Sequence, residues 1–335
     1  MRVFVAGATG VLGRPVVRRL VEAGHEVTGL TRSSAKVSLL RELGARGVVG
    51  DALHGRALED AVVAARAEAV LHLLTALSKG LPGRGRDLAP TNELRVRATR
   101  HLLAAAQRAG ARHFVAESMV LAYGFGDLGG EPLRESSALS APPRNRAQRE
   151  TVLSLRSLEE QTIAAGRTGR MACAALRLGL FYGPEASGAV IAALRRRALP
   201  LPGGGAGAVH SFIHSEDAAT AVVAALTGGA TGVFNVVDDE PTSLRAFLSA
   251  LAEATAAPRP RRIPMWLARW LAPYSAAVFS TRLPVSNALA RERLGWVPRF
   301  PSYRQGLAEL DRSLHDLEPA AYAVPGPQAP GQHGP

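Results

Sequence analysis

The chain has 335 residues, of which 47% are hydrophobic and 20% charged, a composition that builds apolar cores and excludes a disordered or collagen-like polymer. Its formal charge of +12 comes from 40 Lys+Arg against 28 Asp+Glu. The arginines are scattered, and the densest run, Arg195-Arg196-Arg197, reads as a solvated helix end; without a helix-turn-helix, zinc-finger or RNA-binding signature, no nucleic-acid partner is expected.

The single cysteine, Cys173, excludes an internal disulfide and a multi-cysteine metal site and reads as an inert buried thiol. No apolar leader follows Met1-Arg2, and the most membrane-like stretch, 265–279, is short and interrupted by Arg269 and Pro273. The expectation is a cytoplasmic chain with no membrane partner and no metal.

Val3-Phe4-Val5-Ala6 reads as a strand closed by Gly7, and Leu12, Val16, Val17, Leu20 and Val21 then recur at helical spacing. The alternation continues with a strand at 26–31, a helix at 34–43, a strand at 47–49 and a buried strand at 69–74. A long helix is predicted over 92–109, a strand over 113–117, a helix within 144–165 and a strand over 172–181, stopped by Tyr182-Gly183-Pro184. Beyond it lie a glycine-rich loop at 200–207, a helix at 215–226, a strand at 232–237 and a helix at 243–254. Alternating strands and helices return to one sheet by right-handed crossovers, so the expected fold is α/β, a Rossmann-type doubly wound parallel sheet with a smaller C-terminal substrate lobe. The predicted division gives 1–182 to the dinucleotide-binding domain, with 211–238 returning to it. Residues 183–210 and 239–317 form the lobe, and the proline-rich 318–335 is a disordered tail.

Gly7-Ala8-Thr9-Gly10-Val11-Leu12-Gly13 places three glycines between the first strand and the first helix. Such a turn needs a residue at unusual φ, a pyrophosphate needs bare backbone, and the helix start supplies amide donors and a positive dipole end. Gly7, Thr9, Gly10, Val11, Leu12 and Gly13 are therefore candidate cofactor-binding residues, against the plainer reading of a structural glycine turn. The second strand ends Leu30-Thr31-Arg32-Ser33 with no carboxylate. Thr31 and Arg32 stand where an acid would take a ribose 2′-hydroxyl, and an arginine there suits a 2′-phosphate, so NADP is expected over NAD.

With these motifs the sequence resembles the extended short-chain dehydrogenases/reductases, in particular the NAD-dependent epimerase/dehydratase branch, over about residues 1–315. The resemblance also rests on Gly50-Asp51, Val70-Leu71-His72-Leu73, Ala122-Tyr123-Gly124, Arg177 through Tyr182-Gly183-Pro184, Phe212 to Asp217, Phe234-Asn235-Val236 and Leu294-Gly295-Trp296. It implies that Asp51 and Ala52 lie against adenine, that Leu73, Leu74 and Thr75 line the ribose, and that Leu178, Gly179 and Leu180 border the nicotinamide.

The departures concern the family's Tyr-x-x-x-Lys pair, in which i and i+4 share a helix face and a tyrosine of lowered pKa serves proton transfer. The segment 144–165 holds no tyrosine and no lysine. Matching the family's downstream glutamate to Glu160 puts Val152 and Arg156 in their places. Valine moves no proton, and arginine stays charged but can still hydrogen-bond a cofactor ribose. The family's active-site serine or threonine corresponds to Met119, with Ser118 one place earlier, and an asparagine expected in the fourth helix is Arg95.

Tyr123 and Tyr182 follow sheet strands at their carboxyl ends, so with Ser118 they are the candidate catalytic residues, against the alternative of packed rim tyrosines. His72 reads as structural, and His210 and His214 lack a third clustered ligand; His214-x-x-Asp217 reads as fixing the next helix start. Three functions fit: an NADP(H)-dependent oxidoreductase of a small organic metabolite with an altered proton route, an isomerase, lyase or cyclase using the cofactor structurally, and a non-catalytic dinucleotide sensor. The expected partner is a small-molecule substrate, with a homodimer left open.

Overall fold

The computed structural model describes residues 1–77, 82–203 and 208–317. The tail at 318–335 and part of the glycine-rich loop lie outside the described residues. The first half alternates β1 Arg2–Ala6, α1 Gly13–Glu22, β2 Glu26–Thr31, α2 Val37–Glu42, β3 Arg46–Val49, α3 Gly55–Ala64, β4 Ala69–His72, α4 Ala89–Glu93, α5 Thr99–Ala109, β5 His113–Met119, α6 Arg146–Gly166 and β6 Ala172–Leu178. Then come β7 Leu180–Tyr182, α7 Pro184–Arg195, β8 Leu201–Pro202, β9 Val209–His210, β10 Phe212–His214, α8 Ser215–Thr227, β11 Gly232–Val236 and α9 Leu244–Ala254. The described chain closes with β12 Arg262–Ile263, α10 Met265–Leu271, α11 Pro273–Phe279, β13 Arg282–Leu283, α12 Ala288–Leu294 and α13 Tyr303–Leu317.

Seven strands form one wholly parallel sheet in the order β11-β6-β5-β4-β1-β2-β3. The winding reverses between β1 and β4, which pair from Val3↔Ala69 to Ala6↔His72. Crossover helices leave to opposite faces at such a point, so a crevice opens beyond the carboxyl ends of the strands. Short parallel pairs join β7 to β10, β8 to β12 and β9 to β13.

The period of two along each strand divides the core between the faces. Val3, Val5 and Val115 pack with Val16, Val17 and Val222 on one side, while Phe4, Phe114 and Ala116 pack with Leu102, Leu103 and Leu158 on the other. A third cluster draws only on residues after β6, including Tyr182, Phe212, Phe247, Leu251, Tyr303 and Leu307, with Phe212 and Phe247 stacked at 4.3 Å.

Two predicted elements are broken where the site lies. The helix expected over 92–109 is interrupted between α4 and α5 by a π-helical turn, Leu94–Ala98, an insertion that re-aims side chains and clusters at functional sites. The strand expected over 172–181 ends at Gly179. The Gly179 N–H donates to the Val236 carbonyl at 3.1 Å, and a Cβ there would fall 2.7 Å from the Phe212 carbonyl carbon. The chain steps off the large sheet at this glycine and pairs β7 with β10 instead. Helices α3, α7 and α10 to α13 come in addition to the predicted elements.

Candidate active site

The glycine turn sits at the switch point. Gly7 has φ +96°, and a Cβ on it would meet the Leu73 carbonyl oxygen at 2.1 Å; a Cβ on Gly13 would meet the Gly7 oxygen at 2.0 Å. Both positions therefore require glycine, for the turn and for close packing of α1 on the sheet. Gly10 and Val11 are exposed at the mouth of the crevice. Helix α1 starts with no side-chain cap and no acidic residue in its first turn, so its amide dipoles are left to an anion. This cradle fits the pyrophosphate of a dinucleotide.

The other residues read as cofactor-binding are distributed along the strand ends. Thr31 is buried, with its hydroxyl accepting from the Ser33 N–H, while Arg32 is exposed and makes no hydrogen bond or ion pair among the described residues. The Asp51 carboxylate accepts from the Leu53 N–H at 2.9 Å, and Ala52 is buried beneath it. Leu73 is buried, with its N–H donating to Ala6 at 2.8 Å, while Leu74 is half-buried and Thr75 is exposed at the edge. Leu178 and Gly179 are buried at the end of β6, and Leu180 is half-buried.

Arg156 points elsewhere: its guanidinium donates to the main-chain oxygens of Ala122 at 2.9 Å, Ser140 at 2.8 Å and Tyr123 at 3.3 Å. It ties down the loop after β5 through three main-chain oxygens, where the sequence reading assigned it a cofactor ribose.

The register of the missing relay also shifts. Glu160 is exposed, whereas Glu159 is 5% exposed, receives the Ser118 hydroxyl at 2.6 Å and grips Arg177 of β6 at 2.9 and 2.6 Å. The face of α6 that meets the strand ends therefore carries Glu159 and, at i−4 and i−8, Leu155 and Thr151, beside Arg156 and the buried Val152. Neither pair contains a side chain that titrates near neutrality.

The three hydroxyls read as catalytic are committed to packing. Ser118 is fully buried against Glu159. Tyr123 is 1% exposed, its hydroxyl within 2.8 Å of the Arg134 carbonyl and 3.0 Å of the Asn235 side-chain oxygen, with Arg177 4.5 Å above its ring. Tyr182 is fully buried among Phe212, His214 and Phe247, with its hydroxyl toward the Ser302 carbonyl at 3.3 Å; burial, and then Asp238 and Asp217, push its phenol above the usual range. All three hydroxyls are thus bonded within the protein, to Glu159, to Arg134 and Asn235, and to Ser302.

His72, His214 and the thiol are held in packing and capping contacts. His72 bonds Thr99 at 3.0 Å, and burial takes its pKa down to about 4. His214 itself caps α8, accepting from the Glu216 N–H at 3.2 Å, while Asp217 instead receives the Arg299 and Phe300 N–H groups, both at 2.9 Å. Cys173 is buried, and desolvation pushes its thiol up to about 11.

What sequence reasoning missed is a polar group at the end of β5. Glu117 is half-buried there, and burial, partly offset by Arg95, raises its carboxyl to about 7. Arg95, on the π-helical turn, is 5% exposed and donates to the Asn92 side-chain oxygen at 3.2 Å and the Met119 sulfur at 3.4 Å. Tyr274 of α11 reaches in from the C-terminal half, 5% exposed, sharing a hydrogen bond with Thr151 and packed edge-on to Phe125 at 5.8 Å. The available signal was a lone carboxylate in an apolar strand, His113-Phe114-Val115-Ala116-Glu117. Among the described residues no group of His, Cys, Asp and Glu side chains could hold a metal, and no helix is long and apolar enough to cross a membrane.

A parallel sheet with this strand order, a glycine cradle at its switch point and a second core beyond β6 define an NAD(P)-binding protein of Rossmann type. Residues 3–236 match the profile of the NAD dependent epimerase/dehydratase family, and the chain belongs to that family. A protein named 3-diazoavenalumate denitrifying reductase, from a Streptomyces species, is 39% identical over 313 residues, covering 92% of this chain and 99% of the relative. Within the family the chain is thus an NAD(P)-dependent oxidoreductase.

Among solved structures, UDP-glucose 4-epimerase of Thermotoga maritima with UDP-glucose is 22% identical, with TM-score 0.77, covering 94% of this chain and 99% of that one. UDP-glucose 4-epimerase of Thermus thermophilus in complex with NAD is 23% identical, with TM-score 0.75, covering 97% and 100%. At these identities the likeness carries the fold.

Proposed function

We propose that the chain is an NADP(H)-dependent reductase that removes the diazo group of an aromatic substrate by hydride replacement. The observation that carries this reading is the α6 face at the strand ends: Thr151 and Leu155 there, and Val152 and Arg156 in the next register, lack the tyrosine and lysine of the family's relay, so the family's usual proton route to a substrate oxygen is absent. The name and near-complete coverage of the Streptomyces relative support the same reading. Gly7, Gly10, Val11 and Gly13 would hold the pyrophosphate, and the exposed Arg32 a 2′-phosphate. Bound there, reduced nicotinamide supplies a hydride, and ArN2+ + NADPH → ArH + N2 + NADP+ balances without an added proton, the C–H bond forming from the hydride pair while the C–N pair leaves with dinitrogen.

The chain's own part is to orient and to exclude water. Arg177 and Glu159 form the buried ion pair that locks β5, β6 and α6 together beneath the reacting end, and breaking such a pair by removing one partner costs about 3–5 kcal/mol. The test offers the purified chain 3-diazoavenalumate with NADPH or NADH while nucleotide oxidation and dinitrogen release are followed together. One dinitrogen per NADPH, with NADH weaker, is expected. Reduction of a ketone panel with the diazo compound untouched, or conversion without net nucleotide oxidation, would overturn the proposal.

A further inference from the structure

Arg95 and Arg177 are the buried arginines among the described residues, at 5% and 4% exposed. Their surroundings differ in one decisive respect. Arg177 has a bidentate carboxylate in Glu159. Arg95 has a neutral amide oxygen and a thioether, and among the described residues no carboxylate lies within ion-pair distance of it. A guanidinium offers five N–H donors, and a buried charge is tolerated when it is paired and hydrogen-bonded. Arg95 therefore lies beside the carboxyl end of β5 with donors to spare and its charge incompletely compensated.

We propose that Arg95, with Glu117 and Tyr274, forms an oxyanion subsite at the reacting end of the crevice that takes a carboxylate or phenolate of an aromatic substrate. The π-helical turn aims Arg95 at Met119, and Glu117 shares the Met119 face of β5, since Ser118 between them turns the other way, to Glu159. Tyr274 brings a phenol from α11, and Phe125 and Met119 would give the subsite apolar walls for a ring. The inference rests on the reductase reading only for the statement that the substrate is the occupant.

The charges fix how the subsite responds to pH. The groups acting on the pair are Arg95 and Glu117 themselves, Tyr274 of α11, and His72 of β4, which is neutral at ordinary pH. With Glu117 protonated, Arg95 is uncompensated and the carboxyl can donate to an anion. With Glu117 ionised, it offsets part of the Arg95 charge and repels the anion. Anion affinity should fall as pH rises through about 7, and by linkage anion binding should draw a proton onto Glu117.

The experiment measures calorimetric binding of para-hydroxycinnamate, its amide and its methyl ether, at about pH 6 and about pH 8, with and without NADP+. None of these ligands is turned over, so the result is independent of whether the diazo reaction occurs. Arg95→Gln should weaken the acid by roughly tenfold or more, the loss expected for a charge-assisted hydrogen bond. Glu117→Gln should tighten binding several-fold at the higher pH and remove proton uptake in buffers of different ionisation heat, a gain that misfolding cannot produce. Weak binding of the amide assigns the carboxylate, and weak binding of the methyl ether assigns the phenolate. Equal binding of all three ligands, or a Glu117→Gln variant that binds no tighter at the higher pH, would overturn the proposal.

Discussion

Asp238 follows β11, is 1% exposed, and among the described residues neither of its carboxylate oxygens has a hydrogen-bond partner. Burial, and then the charges of Asp239 and Glu240, raise its pKa from 3.8 to about 9. The folded state thus holds the proton more tightly than the unfolded chain. Stability is fully present below the unfolded value and falls as pH rises through the folded one, at roughly 1.4 kcal/mol per pH unit between them. Asp238→Asn keeps the shape of the side chain and removes the ionisation. Its stability advantage over the parent should therefore grow by up to about 4 kcal/mol between about pH 5 and about pH 8. Urea denaturation of both proteins at the two pH values measures this directly, and the comparison cancels every other titrating group. An advantage that is the same at both pH values would show that Asp238 finds a partner or water that keeps it ionised in the fold.

Arg32→Ala should weaken NADP(H) roughly tenfold while leaving NAD(H) affinity unchanged, read by fluorescence titration. Tyr123→Phe should leave diazo reduction within a few-fold and cost about 1 kcal/mol in chemical denaturation, because its hydroxyl serves packing. Glu159→Gln should cost about 3–5 kcal/mol, because Arg177 would remain buried without a counter-charge.

The sheet was readable because its strands are short apolar runs set off by glycines, and the switch point because Gly7, Gly10 and Gly13 follow β1 at once. The end of each element was harder. Leu178-Gly179-Leu180 looks like continuous strand, and only the approach of the Phe212 main chain to Gly179 splits it. The π-helical turn was invisible because Leu94, Ala98, Leu102 and Leu103 keep an apolar face through it; one extra residue in a turn changes where Arg95 points without changing composition.

The register of α6 shows why the site was less legible than the fold. Glu159 and Glu160 are adjacent carboxylates, and choosing the wrong one rotates every inferred site residue by about 100° around the helix axis. Helical periodicity ranks apolar faces, but it is silent on which of two neighbouring acids meets an arginine on another strand. Arg177 lies 18 positions away in sequence and decides the matter through two hydrogen bonds. The proposed reductase reading is the same in either register, because both lack the family's tyrosine and lysine, one with Val152 and Arg156 and the other with Thr151 and Leu155. The proposed subsite is assembled from Arg95, Glu117 and Tyr274, far apart in the chain. Each is ordinary alone, and their joint meaning exists only once the π-helical turn, the end of β5 and α11 converge.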